Sequence, residues 1–317
     1  FDVTKSGFSE LGLSIFKYQY ENNALYRQFS DTLKKNPVSV VSLDQIPFLP
    51  VSFFKHHPVV TTVFNPHIVF ESSGTTTTIN SRHLIRDISI YEESFIKGFK
   101  RLYGEVNDWC IIGLLPSYLE KGNSSLAYMV DKLIKLSGNP DSCFCLNDFS
   151  RLRNILSILE SKGQKTILIG VTYALLDFAE LYPLKLRHTV VMETGGMKGR
   201  REELLREEVH KRLCNAFELD KIHSEYGMTE LLSQAYSQGN GIFSCPPWMK
   251  IWVRDEEDPL SVSRAGKGVI NVIDLANIYS CSFIATDDAG KVYDDGNFEV
   301  LGRTDGSDLR GCSLLAL

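Results

Sequence analysis

The chain has 317 residues, 43% of them hydrophobic and 23% charged, the balance of an ordinary globular protein with room for two domains or one large domain with subdomains. A formal net charge of −5 gives no electrostatic pull toward nucleic acid or an anionic membrane, so no nucleic-acid partner is expected. No apolar run approaches the roughly 20 residues of a transmembrane helix, and the opening FDVTKSGFSE lacks the basic-then-apolar order of a secretory signal.

The chain opens on Phe1 and not on Met, so residues preceding it are expected. Seven cysteines, an odd number scattered along a long chain, argue for a reducing, cytoplasmic setting and against a disulfide framework. Cys143 and Cys145 form a C-x-C pair with no second ligand pair at metal spacing, which disfavours a zinc site.

Taken in order, HIVFE (67–71) is strand-like. Leu84, Ile88, Tyr91, Phe95 and Phe99 then recur at helical spacing, predicting a helix from about Leu84. WCIIGLLP (109–116) reads as a buried strand. Ser124 and Ser125 cap a helix carrying Leu126, Met129, Val130 and Leu133 that stops at Gly138. Leu152, Ile155, Leu156 and Leu159 mark a further helix ending near Gly163. KTILIGV (165–171) is a strand followed by a helix through YALLDFAELY, and HTVVMETGG (188–196) is a strand running into two glycines. RREELLREEVHKRLCNAF reads as a charged amphipathic helix with a solvated face. This alternation predicts a mainly parallel α/β sheet. Past about residue 241, WMKIWVRD, GVINVID, CSFIATD, KVYDD and FEVLGR are short strand-like runs between Gly- and Asp-rich turns, predicting a β-rich subdomain.

In open α/β sheets ligands gather where strand ends enter helices. SSGTTTT (72–78) sits between a strand and the expected helix, with Gly74 allowing close approach of the backbone to an anion and hydroxyls and N–H groups able to donate to phosphate. It does not fit the Walker pattern, and on its own it reads first as a structural Ser/Thr turn. EYGMTE (225–230) supplies an aromatic face, a glycine, a hydroxyl and a carboxylate within six residues. ETGGMKG (193–199) is a strand-end glycine pair whose backbone could line an adenine slot. ATDDAG (285–290) offers carboxylates for ribose, and GRTDGSDLRG (302–311) adds two arginines; the plain reading of both is Asp/Gly turns.

The order of these stretches resembles the adenylate-forming superfamily of acyl- and aryl-CoA synthetases, whose phosphate loop reads like SSGTTG and is followed by YGMTE, TGD and GR-x-D. More closely, the chain resembles the acyl-protein synthetases of the LuxE type, the fatty acid–luciferin-component ligases. FKYQYENNALYRQF (16–29), IPFLPVSFFK (46–55), FESSGTTTTINSRH (70–83), PSYLEKGNSSLAYMVD (116–131), TGGMKG (194–199) and VLGRTDGSDLRGC (300–312) carry that likeness over nearly the whole chain.

The resemblance implies an α/β adenylate-forming large-domain fold. Mainly parallel sheet subdomains for nucleotide and acyl binding are expected over 1–240. A β-rich, distorted-barrel subdomain ending at a hinge-like segment is expected over 241–317, with the small mobile C-terminal domain of larger relatives absent. It also implies ATP and Mg2+. Ser72, Ser73, Gly74, Thr75, Thr76 and Thr77 would hold the ATP phosphates, Tyr226 would flank adenine in the segment continued by Gly227 and Met228, and Gly195 and Gly196 would line its slot. Thr229 would contact the α-phosphate, Glu230 ligate magnesium and Asp288 bind ribose, with Asp287 in the less favoured register. Arg303 matches the arginine near ribose and phosphates, and Asp305 falls on the hinge. Two departures stand out: Thr77 and Thr78 occupy positions where relatives place a glycine, and no lysine follows the loop. With the mobile domain's lysine missing, Lys198 together with Arg303 is expected to supply the cation, His83 being a weaker candidate as a histidine opening a helix.

The implied reaction is attack of a fatty carboxylate on the α-phosphorus of ATP, giving acyl-adenylate and pyrophosphate, followed by thioester formation. Cys312 matches the acceptor position, with Arg310 able to lower its pKa; the other reading of Cys312 is a buried small hydrophobe. The product would pass to an acyl reductase partner. Two alternatives stay open: a ligase delivering to coenzyme A or a carrier protein, and a non-catalytic nucleotide- or acyl-binding relative.

Overall fold

A computed structural model describes residues 1, 3–4, 7–72, 79–116, 122–146, 148–196 and 204–304. The chain forms two compact units. One contains Phe1–Phe95, Met228–Gln234 and the stretch from Ser244 through the last strand, Phe298–Arg303; the other contains Ile96–Gly227 and Ala235–Phe243. No helix among the described residues is long and apolar enough to cross a membrane.

The first unit is built on an antiparallel meander in the order Val262–Ser263, Met249–Arg254, Gly266–Asp274, Phe283–Val292 and Phe298–Arg303. The runs CSFIATD and KVYDD, expected as two strands, lie largely in one continuous strand, Phe283–Val292, with an irregularity in pairing between Ala289 and Gly290. There a Cβ on Gly290 would come within 2.6 Å of Ile270 Cδ1 and 2.7 Å of the Glu299 carbonyl, so only glycine lets the strands close.

The first 95 residues, expected with the parallel sheet, belong to this β-rich unit, and the contacts show why. Leu49–Pro50 adds a parallel strand at Ile284 and Ala285. Gln19, on the helix Gly7–Asn22, is fully buried; its Nε2 donates to the carbonyls of Asn277 (3.0 Å) and Ile278 (3.1 Å), and its Oε1 accepts from Ser282 N at 3.0 Å. Asn23 caps the helix Ala24–Thr32 through Tyr26 N and donates to the Ser280 carbonyl at 3.2 Å. Phe283 is the hub of the core, its ring 6.3 to 6.4 Å from Phe16, Tyr26 and Phe48.

In the second unit, parallel strands run in the order Cys143–Phe144, Cys110–Leu114, Thr166–Gly170, Thr189–Glu193 and His223–Tyr226, with Ala235–Ser237 joining antiparallel. Every residue of Cys110–Leu114 and Thr166–Gly170 is buried, as in a sheet covered on both faces. The helices Ser125–Ser137, Phe149–Ser161, Thr172–Leu181 and Arg206–Phe217 alternate with these strands. Ser124 caps the first of them by accepting from Ala127 N, and Gly138 ends it in the left-handed conformation at φ 60°, as the sequence predicts.

The helix expected from Leu84 begins later, at Ile88. Leu84 is in the strand Arg82–Ile85, and Asp87 starts the helix by accepting from both the backbone N–H (3.0 Å) and the hydroxyl (2.7 Å) of Ser89. Those bonds hold the Asp87 carboxyl below its ordinary pKa.

Two buried carboxylates anchor these units. Asp274, fully buried, accepts from Leu232 N (2.8 Å), Ser233 Oγ (2.6 Å) and Ala276 N (3.1 Å). An amide in its place turns one acceptor into a donor facing N–H and O–H groups, so Asp274→Asn is expected to cost about 2–4 kcal/mol in urea unfolding. Glu193 accepts from Gly195 N (2.7 Å) and Thr172 Oγ1 (3.2 Å) and pairs with Arg206 Nε at 3.3 Å. Burial opposes its charge, but His210, Arg206 and the Gly195 N–H together hold its pKa down to about 2. A carboxyl depressed in the folded state contributes stability above its unfolded pKa that is lost as pH falls toward the folded value. The stability gap between wild type and Glu193→Gln is therefore expected to be full at pH 6 and to close between about pH 5 and pH 2, followed by the urea midpoint.

Candidate functional site

The Ser/Thr stretch connects an antiparallel hairpin, Ile68–Glu71 with Arg82–Ile85, and not a strand with a helix. Ser72 closes the base of this connection: its N–H donates to the Ser81 carbonyl (3.0 Å) and its Oγ accepts from Ser81 N (2.9 Å), with only 7% of the residue exposed. Ser73, Gly74, Thr75, Thr76 and Thr77 lie outside the described residues.

The segment Met228–Gln234 belongs to the same unit and is held mainly by its backbone. The Met228 carbonyl accepts from Leu231 N in a tight turn. His83 Nδ1 donates to the Thr229 carbonyl at 2.8 Å, and Asn277 Nδ2 to the Glu230 carbonyl at 2.7 Å. Asp274 then takes Leu232 N and Ser233 Oγ. With its peptide fixed from both sides, Glu230 is fully buried, while Thr229 stays half-exposed.

His83 is not a helix-opening residue. It lies in the return strand of the hairpin, 1% exposed, with the Phe54 ring 5.6 Å away and edge-on. Burial drives its pKa down to about 4 against the opposing pull of the Thr229 carbonyl, Glu230 and Asn277. Burial therefore disfavours the charged ring that a substitute cation at the phosphates would need.

Asp288, expected in a turn, is in a strand directly opposite Arg303. Arg303 Nε lies 3.4 Å from Asp288 Oδ1 and Nη2 lies 3.3 Å from Asp287 Oδ2, so one guanidinium spans both aspartates. The Asp288 side chain is 8% exposed and that of Asp287 40%. Behind them Arg254 donates to the carbonyls of Ile270 (3.0 Å) and Thr286 (2.6 Å) and to Asn271 Oδ1 (2.8 Å).

In the second unit Glu193 shapes the glycine pair. Gly195 and Gly196 take φ of 73° and 95°, left-handed values that a side chain resists, while Gly195 N is held on Glu193. Thr172 N and Tyr173 N donate back to the carbonyls of Gly195 (3.1 Å) and Gly196 (3.4 Å). The result is a rigid backbone bend at the carboxyl end of a parallel strand, the usual ligand edge of such sheets. Tyr226 ends the neighbouring strand, 6% exposed, its ring 6.0 Å from Phe243. Burial, with Glu193 nearby, raises the Glu225 carboxyl to about 8.

Of the expected residues, Ser72, Met228, Thr229, Glu230, Asp288 and Arg303 thus fall in the first unit, and Gly195, Gly196, Tyr226 and Gly227 in the second. Lys198, Asp305 and Cys312 lie outside the described residues. Asn277, Asp274, Arg254 and Glu193 were not singled out by sequence. The available signal was the polar triplet of Asp274, Asn277 and Ser280 at three-residue spacing, inside an otherwise apolar stretch.

The chain is 25% identical to the long-chain-fatty-acid–luciferin-component ligase of Vibrio harveyi, over 96% of this chain and 86% of that protein. Its fold is similar to that of 2-hydroxyisobutyryl-CoA ligase solved in an open conformation with 2-HIB-AMP and CoA: TM-score 0.66, 14% identity, 95% of this chain and 76% of that one. It is also similar to O-succinylbenzoate coenzyme A synthetase of Bacillus subtilis in complex with ATP and magnesium ion: TM-score 0.51, 15% identity, 76% of this chain. The chain spans about half, 52%, of that structure. These likenesses establish the adenylate-forming fold. The family model for acyl-protein synthetase, LuxE, matches residues 5–316. The chain therefore belongs to the acyl-protein synthetase (LuxE) family and is a ligase of the adenylate-forming kind.

Proposed function

We propose that the protein activates a long-chain fatty acid with ATP and passes the acyl group to Cys312. The observation that carries this reading is the family match over residues 5–316, which runs from the N-terminal helices through the phosphate loop and Glu230 to Cys312. The fatty carboxylate oxygen attacks the α-phosphorus and pyrophosphate leaves, giving acyl-adenylate. The Cys312 thiolate then attacks the acyl carbon, AMP leaves, and the protein carries a thioester that a partner reductase can consume. A reactive thiol of this kind suits a reducing compartment, so we place the protein in the cytoplasm.

The first step needs placement and charge neutralisation more than a base. Ser72 closes the loop that would cradle the phosphates. Thr229, half-exposed on a fixed peptide, would contact the α-phosphate through its hydroxyl group. Asp288, with Arg303 across the strand pair, would take the ribose hydroxyls, while the stiff bend at Gly195 and Gly196 and the ring of Tyr226 would take adenine. Glu230 fits a hard divalent ion, since it is a buried carboxylate and magnesium takes carboxylate oxygens together with phosphate oxygens. Magnesium bound there would neutralise phosphate charge. Lys198 and Arg303 would supply the remaining positive charge.

With radiolabelled long-chain acid, ATP and magnesium, wild type is expected to acquire hydroxylamine-labile label. Cys312→Ser should lose that label while keeping acid-dependent ATP–pyrophosphate exchange. Exchange without label on wild type would move the acceptor to a carrier or coenzyme A, and absence of exchange across a broad acid panel would sink the adenylation reading. Lys198→Ala is expected to lower the exchange rate about 10²-fold, the scale of losing one charge-stabilising donor. An unchanged rate would remove Lys198 from the site.

A further inference from the structure

His83 sits two residues beyond Ser81, which closes the phosphate-loop hairpin, and opposite Phe70 in the hairpin register. The Thr229 carbonyl can only accept, so the proton of the 2.8 Å contact is on Nδ1 and the ring is the Nδ1–H tautomer. That leaves Nε2 as an acceptor, and it has no hydrogen-bond partner among the described residues; nor does Asn277 Oδ1. Two acceptors cannot bond each other, so His83 and Asn277 act through their other ends, one on the Thr229 carbonyl and one on the Glu230 carbonyl. Both line a small cavity with Leu232, Ala276 and Tyr279. The ring's orientation is locked by the edge-on Phe54 and by near-complete burial.

Burying a histidine here carries a desolvation cost that an aromatic hydrocarbon packed in its place would not. What it supplies is a directed donor joining two elements: the hairpin that carries the phosphate loop, and the segment that carries Thr229 and Glu230. We propose that His83 is a positioning residue of adenylation, whose Nδ1–H bond to the Thr229 carbonyl sets the phosphate-loop hairpin and the Thr229–Glu230 pair at one fixed separation, so that ATP meets both at once. This rests on the adenylation reading above. The role belongs to nucleotide placement, so its loss should appear in the parameters for ATP and not in those for the acid.

The test compares wild type, His83→Phe, His83→Asn and His83→Gln in acid-dependent ATP–pyrophosphate exchange, with melting curves for each. Phe keeps the ring and loses the donor. Asn places an amide N–H near the Nδ1 position, and Gln places it near Nε2. His83→Phe is expected to lose about 10²-fold in kcat/KM for ATP, the scale of a small misplacement of reacting groups, while KM for the acid stays within about twofold. His83→Asn should recover most of that loss and His83→Gln should not. If His83→Phe fails to fold, the contrast between Asn and Gln decides, and equal losses in those two overturn the proposal. So does a His83→Phe enzyme with wild-type kcat/KM for ATP. If wild type itself shows no exchange, the adenylation reading falls and calorimetric binding of MgATP replaces the kinetics. Weaker binding by His83→Phe with recovery in His83→Asn then sustains the link, and equal affinity, or no binding by wild type, removes it.

Discussion

Glu230 has the peptide carbonyl on each side of it, those of Thr229 and of Glu230 itself, taken by a buried side chain, His83 at 2.8 Å and Asn277 at 2.7 Å. Each such bond contributes about 1 kcal/mol net, but leaving a buried carbonyl without one costs about 1–3 kcal/mol, so the arrangement is enforced more by the penalty for breaking it than by the gain from making it. Asn277 is itself held, because Gln19 on the first helix donates to its carbonyl and to that of Ile278. A helix at the start of the chain therefore fixes a turn some 260 residues later, |i−j| being 258, and that turn fixes Glu230. The N-terminal residues join the β-rich unit for this reason and not the parallel sheet that follows them in sequence.

Charge is handled by the same means. Asp274 receives three hydrogen bonds, yet burial dominates and lifts its carboxyl to about 6. Glu193 is equally buried but has Arg206 and His210 beside it, and stays ionised down to about 2. The difference is the presence of a cationic neighbour, since both accept backbone N–H bonds. Asp274 consequently serves as a structural staple for Leu232 and Ser233, whereas Glu193 keeps a full negative charge under the glycine bend. Two carboxylates in similar burial thus have different roles, fixed by what stands next to them.

Elements with a clear period were legible in the sequence. Cys110–Leu114 and Thr166–Gly170 read as buried strands because both faces are covered, and Ser124 with Gly138 marked both ends of a helix by their capping chemistry. The hairpin around the Ser/Thr stretch was not legible as one, because Leu84 continues the helical spacing of Ile88, Tyr91, Phe95 and Phe99, although the helix begins only at Ile88, after Asp87. Asp288 was read as a turn residue because Asp and Gly are depleted in strands; it is tolerated there because Arg303 lies directly across the pair. Gln19 left no local signal at all, and Asn277 left only its place in the polar triplet with Asp274 and Ser280. Their function is a contact across most of the chain, and no window of neighbouring residues contains it.

The same contrast between burial and neighbours bears on the proposed acyl acceptor. Burial pushes the thiol of Cys110 up to about 11 and that of Cys281 to about 12, and raises those of Cys214 and Cys245 as well, which disfavours the thiolate that acyl transfer would need. Cys143 is the described exception. The Cys145 thiol, 3.3 Å away, stabilises its thiolate by hydrogen bonding and lowers its pKa, while Cys145 is raised in turn. A thiolate stabilised in that way is a weaker nucleophile per ion, because the hydrogen bond that lowers its pKa must loosen as the sulfur attacks. Cys143 also stands on a two-residue strand at the end of the sheet order, with Cys110–Leu114 and Thr166–Gly170 between it and the strand that carries Glu193. Chemistry and position both disfavour the described cysteines as acyl acceptors, so the proposed acceptor Cys312, and not the C-x-C pair, is the residue to mutate first.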